Sequence, residues 1–256
     1  MKIFNDNSCG WIDYKNQRSN IRKLNNDQSC DYLIVGAGFT GLSAARKLGQ
    51  IAKNKKIILI DAQLAGEGAS SRNSGYLVDT TLNDGFTSDK DISNYKKKAQ
   101  IYELGIKAVK KFNEEHQVDC DWNECGKYFA SSRLEDENKA KSFSDLLKEL
   151  NFKNTILYQN DLKKKLGTSF YKVGVFTNGG ILLNPGKLIK SMINALPENV
   201  TLFENTTLLK WKKSNENIKC SFEKNNIKTK KIIFCTNGFL SNLNIKKRYN
   251  FPITLT

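Results

Sequence analysis

One glycine-rich turn constrains this chain more than any other feature. Asp31-Tyr-Leu-Ile-Val35 is a short apolar, β-branched run that stops at glycine, which predicts a buried strand. Gly36-Ala37-Gly38-Phe39-Thr40-Gly41 follows, and Leu42, Ala45, Arg46, Leu48 and Gly49 continue as a helix with small residues on one face. Lys56-Ile-Ile-Leu-Ile60 predicts a second buried strand. Strand, glycine turn, helix and strand within residues 31–61 make a βαβ unit. The expected class is therefore α/β, with a mostly parallel sheet.

The glycine spacing is G-x-G-x-x-G, and its place after a strand and at the start of a helix gives it meaning. Gly36 allows the tight turn, Gly38 lets backbone approach a pyrophosphate, and Gly41 lets helix and strand pack closely. The helix N-terminus offers unpaired N–H groups and a partial positive charge to phosphate. Asp61 ends the second strand, where a carboxylate can accept from ribose hydroxyls and disfavours an added 2′-phosphate. NAD and FAD both fit this fingerprint. The second loop, Gly66-Glu-Gly-Ala-Ser-Ser-Arg-Asn-Ser-Gly75, is rich in small residues. Its Ser70, Arg72 and Asn73 suit a cofactor that extends past its pyrophosphate.

Elsewhere the chain alternates helical and strand patterns. Residues 1–30 read as a polar arm whose Trp11, Ile12 and Tyr14 are expected to pack on the body. A helix is predicted over 94–112, with Ile101, Leu104, Ala108 and Phe112 as its core-facing stripe. Cys125-Gly-Lys-Tyr-Phe-Ala reads as the start of a strand, and Phe143, Leu146, Leu147 and Leu150 mark another helix. Asn184-Pro185 opens a further helix carrying Leu188, Ile189, Met192, Ile193 and Leu196. Several short strands are predicted over 200–235, ending in Lys231-Ile-Ile-Phe-Cys235, where Cys235 reads as a small buried hydrophobe. No internal repeat or long linker separates these parts, so they are expected to interleave.

The formal charge of +15 raises the possibility of an anionic partner. Only six of the 41 basic residues are arginine, the planar fork favoured by base and phosphate readers, and no standard nucleic-acid motif is present. The 35 lysines read as a compositional bias spread along the chain. Histidine is nearly absent. His116, the single one, excludes multi-histidine metal sites and sits in a charged stretch expected at the surface. The six cysteines form no Cys-x-x-Cys pair, so no metal is expected and the cysteines read as reduced and cytoplasmic. The first ten residues lack the apolar core of a secretory signal, and no apolar run approaches the ~18 residues of a membrane span.

Five blocks resemble, in order, the FAD-dependent D-amino-acid oxidase/glycine oxidase family, and within it the bacterial branch of γ-glutamylputrescine oxidoreductases. They are DYLIVGAGFTGLS (31–43), GEGASSRNSGYLV (66–78), GGILLNPGKL (179–188), LFENTTL (202–208) and IIFCTNGF (232–239). The lead-in Cys9-Gly-Trp-Ile-Asp-Tyr14 is also similar to that branch. The resemblance implies a Rossmann-like, three-layer FAD-binding domain (31–84 and 181–245) after an arm (1–30). It would be interleaved with a partial α+β substrate domain (85–180 and 246–256). By the same resemblance Gly36, Gly38, Phe39, Thr40 and Gly41 surround the pyrophosphate, and Asp61 and Ala62 lie at the adenosine ribose. Ser70, Arg72, Asn73, Ser74 and Gly75 run along the ribityl chain and flavin edge. Leu208, in a strand after Glu204-Asn-Thr-Thr, touches adenine through its backbone, and Thr236, Asn237 and Gly238 close over the cofactor.

The family usually has glycine where this chain has Ser71, so a positive φ there would strain the loop. The implied activity is oxidation of a small amine or amino acid at the C–H next to nitrogen, by hydride transfer to flavin N5. Lys127 and Tyr128 are candidates for a strand facing the flavin. Catalytic residues on the substrate side are not identified. The chain is also expected to be an incomplete copy of the catalytic unit, ending in Phe251–Thr256 as a returning strand begins. Two alternatives stay open: an NAD-binding protein of the same fold, and a non-catalytic basic protein that binds nucleic acid or another anionic partner.

Overall fold

The computed structural model describes residues 9–12, 18–79 and 92–245. Packing divides the chain into two compact units, residues 1–73 with 185–256 and residues 74–184.

The first unit is built on a six-stranded sheet. Its strands are β1 (Gln28–Val35), β2 (Ile57–Ile60), β8 (Val200–Phe203), β9 (Lys210–Lys213), β10 (Ile218–Ser221) and β11 (Asn226–Phe234), in the order β8-β2-β1-β11-β10-β9. β8, β2, β1 and β11 are parallel, and β10 and β9 continue as an antiparallel meander. All four residues of β2 are fully buried, as expected of a parallel strand covered on both faces. α1 (Phe39–Ile51) follows β1 and buries Gly41, Leu42, Ala45 and Gly49. A Cβ at Gly49 would lie 2.8 Å from Pro197 Cγ and 2.9 Å from Val200 Cγ2, so its small-residue face is what lets α1 sit against the chain entering β8. α5 (Pro185–Asn194) begins at the expected proline and buries Leu188, Ile189, Met192 and Ile193.

One core cluster joins Leu33, Val35, Ile58 and Ile60 of the parallel strands to Ile218, Cys220 and Ile227 of the meander. The meander therefore covers one side of the parallel strands and keeps its other face in solvent. β11 is longer than the expected strand ending at Cys235 because buried Ile227 and Thr229 alternate with exposed Lys228 and Lys230. Cys235 lies beyond the strand and is only half-buried, a correction to its reading as a core residue.

The arm is tied down by a buried ion pair. The Arg18 guanidinium pairs with Glu204, whose side chain is 1% exposed and also accepts the Ala65 N–H at 2.7 Å. The Glu204 N–H donates to Arg22 O (2.7 Å) and Leu24 N–H to Thr206 Oγ1 (3.3 Å). Trp11 stays exposed, with Nε1 donating to Asn73 O at 2.8 Å; Tyr14 lies outside the described residues.

The second unit holds an antiparallel sheet, β4 (Lys127–Ser131), β6 (Val173–Thr177) and β5 (Asn154–Tyr158), and a two-stranded antiparallel sheet of β3 (Tyr76–Val78) with β7 (Gly180–Leu182). α3 (Glu137–Glu149) lays Phe143 and Leu147 against Phe129, Val173 and Val175, and α4 (Gln159–Leu166) ends at Gly167 in the left-handed conformation. Asp79 and Lys127, both partly or wholly buried, pair at 2.9 Å. Burial lowers the lysine pKa and the aspartate opposes that shift. Burial also pushes the Tyr76 hydroxyl up to about 12; it donates to Gly126 O at 2.9 Å.

α2 (Ile92–Glu115) corrects one expectation. Ile101 and Leu104 are 66% and 67% exposed and Ala108 is exposed, so of the expected stripe only Phe112 is buried. The inward side is instead Tyr102, Ile106, Val109 and Phe112, rotated by about one residue from the expected stripe. Both sets repeat at helical spacing, and the pattern alone does not choose between them. His116 is exposed, its ring 4.5 Å from Phe112.

Candidate functional site

β1 delivers the chain to a turn that only glycine can make. Gly36 has φ +100°, its N–H donates to Ile60 O at 2.8 Å, and a Cβ there would strike the Cys235 carbonyl. A Cβ at Gly41 would overlap the Gly36 carbonyl oxygen, so α1 approaches the end of β1 as closely as backbone allows. Gly38 is the N-cap residue of α1, with ordinary extended backbone (φ −81°, ψ −170°) and no side-chain cap. Its α-carbon faces only the Ser70 side chain. Leu42 N–H to Gly38 O, at 2.9 Å, is the first helical bond, so the N–H groups of Phe39, Thr40 and Gly41 precede the ladder. Phe39 N–H donates to Ser70 Oγ at 2.9 Å. No acidic residue stands in the first turn of α1 to compete with an anion.

Asp61 leaves β2 beside this turn. Its Oδ2 accepts Ala37 N–H at 2.7 Å and its Oδ1 accepts Gln63 N–H at 3.0 Å. Burial raises its pKa, and the negative charge of Glu204 adds to that; the backbone N–H groups of Gln63, Ala37 and Ala62 pull the other way. Ala62 is exposed next to it. Thr206 N–H donates to Asp61 O at 2.8 Å and Asn205 N–H to Gln63 O at 3.1 Å, bringing the 204–208 segment alongside. Leu208 lies in an extended connection ahead of β9, not in a strand as expected; it is 7% exposed and packs in the core. Thr236, Asn237 and Gly238 follow β11 and enter a 3-10 turn, with Asn237 at φ +46°. Cys235 N–H donates to Val35 O at 2.7 Å, which sets this segment against Gly36. The Thr236 hydroxyl is buried and has no hydrogen-bond partner among the described residues.

The second loop folds back on itself. Arg72 Nε donates to Glu67 O (2.7 Å), and the Asn73 amide donates to Ala69 O and Ser70 O (3.0 and 2.9 Å). Ser70 stands at the N-terminus of α1, where its Oγ accepts the Phe39 N–H. Ser71 does not adopt a positive φ, so the anticipated strain is absent; it is 3% exposed and its carbonyl accepts Cys9 Sγ at 3.2 Å. Ser74 and Gly75 open the second unit, where Gly75 (φ +69°) accepts Leu183 N–H at 2.9 Å. Lys127 and Tyr128 do lie on a strand, β4. Reading the sequence missed two ties: the Ala37 N–H on Asp61, and Glu204 as the anchor of the arm. Backbone donors leave no residue signature, and Glu204 sits inside a block that otherwise reads only as strand end and turn.

A family model described as FAD dependent oxidoreductase matches residues 31–254. The chain belongs to the FAD dependent oxidoreductase family. Its cofactor is accordingly FAD, and the NAD alternative falls. The Haemophilus influenzae protein OrdL is 23% identical over 241 residues, covering 90% of this chain and 54% of that protein. The γ-glutamylputrescine oxidoreductase of Escherichia coli is 23% identical over 69% of this chain and 41% of its own length. Among solved structures, glycine oxidase from Geobacillus kaustophilus superposes with a TM-score of 0.69 at 14% identity, over 85% of this chain and 58% of that one. The chain spans about half the length of the curated relatives it matches. As expected, the family fold is α/β with a mostly parallel sheet.

The residues present fit FAD. The turn at Gly38 leaves room for no Cβ beside Ser70, the N–H groups of Thr40 and Gly41 precede the helical ladder while that of Phe39 is held by Ser70, and the Thr236 hydroxyl, without a hydrogen-bond partner among the described residues, follows the Cys235–Gly36 contact in sequence. Among the described residues no three His, Cys, Asp or Glu side chains gather as a metal site, and no helix is long and apolar enough to cross a membrane.

Proposed function

We propose that the first unit is the FAD-binding part of an enzyme that oxidises a small amine or amino acid at the C–H next to nitrogen. The observation that carries this is the joined geometry of Gly36, Gly38, Gly41 and Asp61 at one helix N-terminus in a chain of this family. FAD, when bound, supplies the two-electron acceptor that takes hydride from that C–H and leaves an imine to hydrolyse. The residues of this chain bind and orient. Gly36, Gly38, Phe39 and the N–H groups of Thr40 and Gly41 receive the pyrophosphate, with Phe39 N–H held by Ser70 and the positive end of α1 opposing the phosphate charge. Asp61, already fixed by Ala37 and Gln63, presents its remaining lone pairs to ribose hydroxyls, with Ala62 beside it. Ser70, Arg72 and Asn73 border the cofactor's extension, Leu208 offers backbone to adenine, and Thr236, Asn237 and Gly238 close the pyrophosphate side. Residues 74–184 are proposed as part of the substrate domain. The names of the relatives, an amine oxidoreductase and amino-acid oxidases and deaminases, support the substrate class.

The test is the visible spectrum of the purified chain, followed by anaerobic addition of α-amino acids and primary aliphatic amines. A flavin spectrum that bleaches with one of them supports the proposal. A colourless protein that takes up no added FAD overturns the cofactor site. A flavin-loaded protein that no amine reduces keeps the cofactor site and is the outcome expected of an incomplete catalytic unit.

A further inference from the structure

The lysine excess, spread along the sequence, is not spread in space on the meander. In register, Lys212 of β9 lies directly opposite Lys219 of β10, and Lys219 directly opposite Lys228 of β11. Lys210 shares the same face one pleat along, opposite Ser221. All four are exposed, and none forms an ion pair among the described residues. Lys230, next on that face of β11, differs because it pairs with Asp31 at 2.8 Å. Like charges directly across a pair of strands are destabilising, and here two such pairs adjoin. The other face of the same strands carries Trp211, Ile218, Cys220 and Ile227, of which the last three are buried in the core.

We propose that this lysine row docks the protein on an anionic lipid surface. Three adjacent strands present their charges on one open sheet face, which suits a plane of headgroups better than a groove-bound ligand. The face has lysine point charges without arginine forks, and its aromatic neighbour Trp211 is on the opposite side, so it lacks the stacking and bidentate groups of a nucleic-acid reader. Clusters of four or more basic residues are a recognised basis for binding anionic lipid, at roughly fivefold in affinity per lysine. This inference goes beyond the proposed oxidation and does not depend on it.

The test is co-sedimentation of the full chain with vesicles of phosphatidylcholine alone or with roughly 30 mol % phosphatidylglycerol. Binding is expected only to the anionic vesicles, weakening as salt shortens the screening length. The triple variant K212Q/K219Q/K228Q should lose roughly a hundredfold in partitioning. K163Q/K164Q/K165Q removes the same charge from exposed positions of α4 and should stay within about threefold of the parent, since those residues lie outside the row. Unchanged flavin content and melting temperature would show that both variants are folded. Equal losses in the two variants would overturn the proposal in favour of net charge alone. Binding to heparin without binding to anionic vesicles, or binding to neither, would overturn it too.

Discussion

Replacing Gly38 with alanine puts a methyl group 2.6 Å from Ser70 Oγ and 3.6 Å from its Cβ, with no other atom within 4 Å outside the chain neighbours. The backbone at Gly38 suits any L residue. Ser70 can rotate away, giving up its bond from Phe39 N–H, a net loss of about 0.5–1.5 kcal/mol. The lower entropy of the unfolded chain returns about 0.4–1 kcal/mol. Stability should therefore change by less than about 1 kcal/mol, or roughly 2–4 °C in melting temperature for a chain of this size. The displaced Ser70 side chain, however, is expected to move towards the N–H groups of Phe39, Thr40 and Gly41, where the pyrophosphate is proposed to bind. Losing one charge-assisted bond there costs about 1.5–3 kcal/mol, a ten- to hundredfold rise in the Kd for FAD.

Alanine at Gly41 meets backbone instead. Its Cβ would overlap the Gly36 carbonyl oxygen and lie 2.9 Å from the carbonyl carbon, so α1 must move off β1. Overpacking of this kind costs about 1–3 kcal/mol, or roughly 2–12 °C. The assay is thermal melting of flavin-stripped protein together with FAD titration by flavin fluorescence. Gly38→Ala should melt like the parent and bind poorly; Gly41→Ala should melt early. Parental affinity in Gly38→Ala, or parental melting in Gly41→Ala, would refute the reasoning.

Three further outcomes are expected. Glu204→Ala strands the Arg18 charge and the Ala65 N–H, which should lower stability in urea by about 3–5 kcal/mol, whereas replacing both Arg18 and Glu204 with methionine should cost less; equal costs would deny the pair its role. Asp61→Ala should weaken FAD binding by ten- to a hundredfold. Because burial raises the folded pKa of Asp61, its carboxylate detracts from flavin-free stability as pH rises above the unfolded carboxyl value of about 4. Asp61→Asn should flatten that slope, which pH-dependent urea unfolding would show. In the second unit, the Ser131 hydroxyl, with Lys139 and Arg133, holds the Asp136 carboxyl at about 2. Its stabilisation is complete above the unfolded carboxyl value and is lost as pH falls towards 2. Ser131→Ala should raise the Asp136 pKa, as read by NMR titration, and an unmoved titration would contradict the assignment.

The βαβ unit was legible from residues alone because its determinants are local. Only glycine serves at Gly36 and Gly41, and a fully apolar run such as Ile57–Ile60 has few other places in a fold. The proline at the start of α5 and the strand nature of Lys127–Tyr128 were readable for the same reason. Tertiary structure decided the rest. It chose which of two helical stripes α2 turns inward, because Ile101 and Tyr102 differ by one position and only a partner surface distinguishes them. It placed Leu208 in a connection, set Ser70 at the helix N-terminus and relieved Ser71 of any positive φ, since loop paths follow the hydrogen bonds that distant segments offer. Above all, it aligned Lys212, Lys219 and Lys228, because strand register is fixed by Ile218, Cys220 and Ile227 seeking the core, and the charges on the opposite face follow.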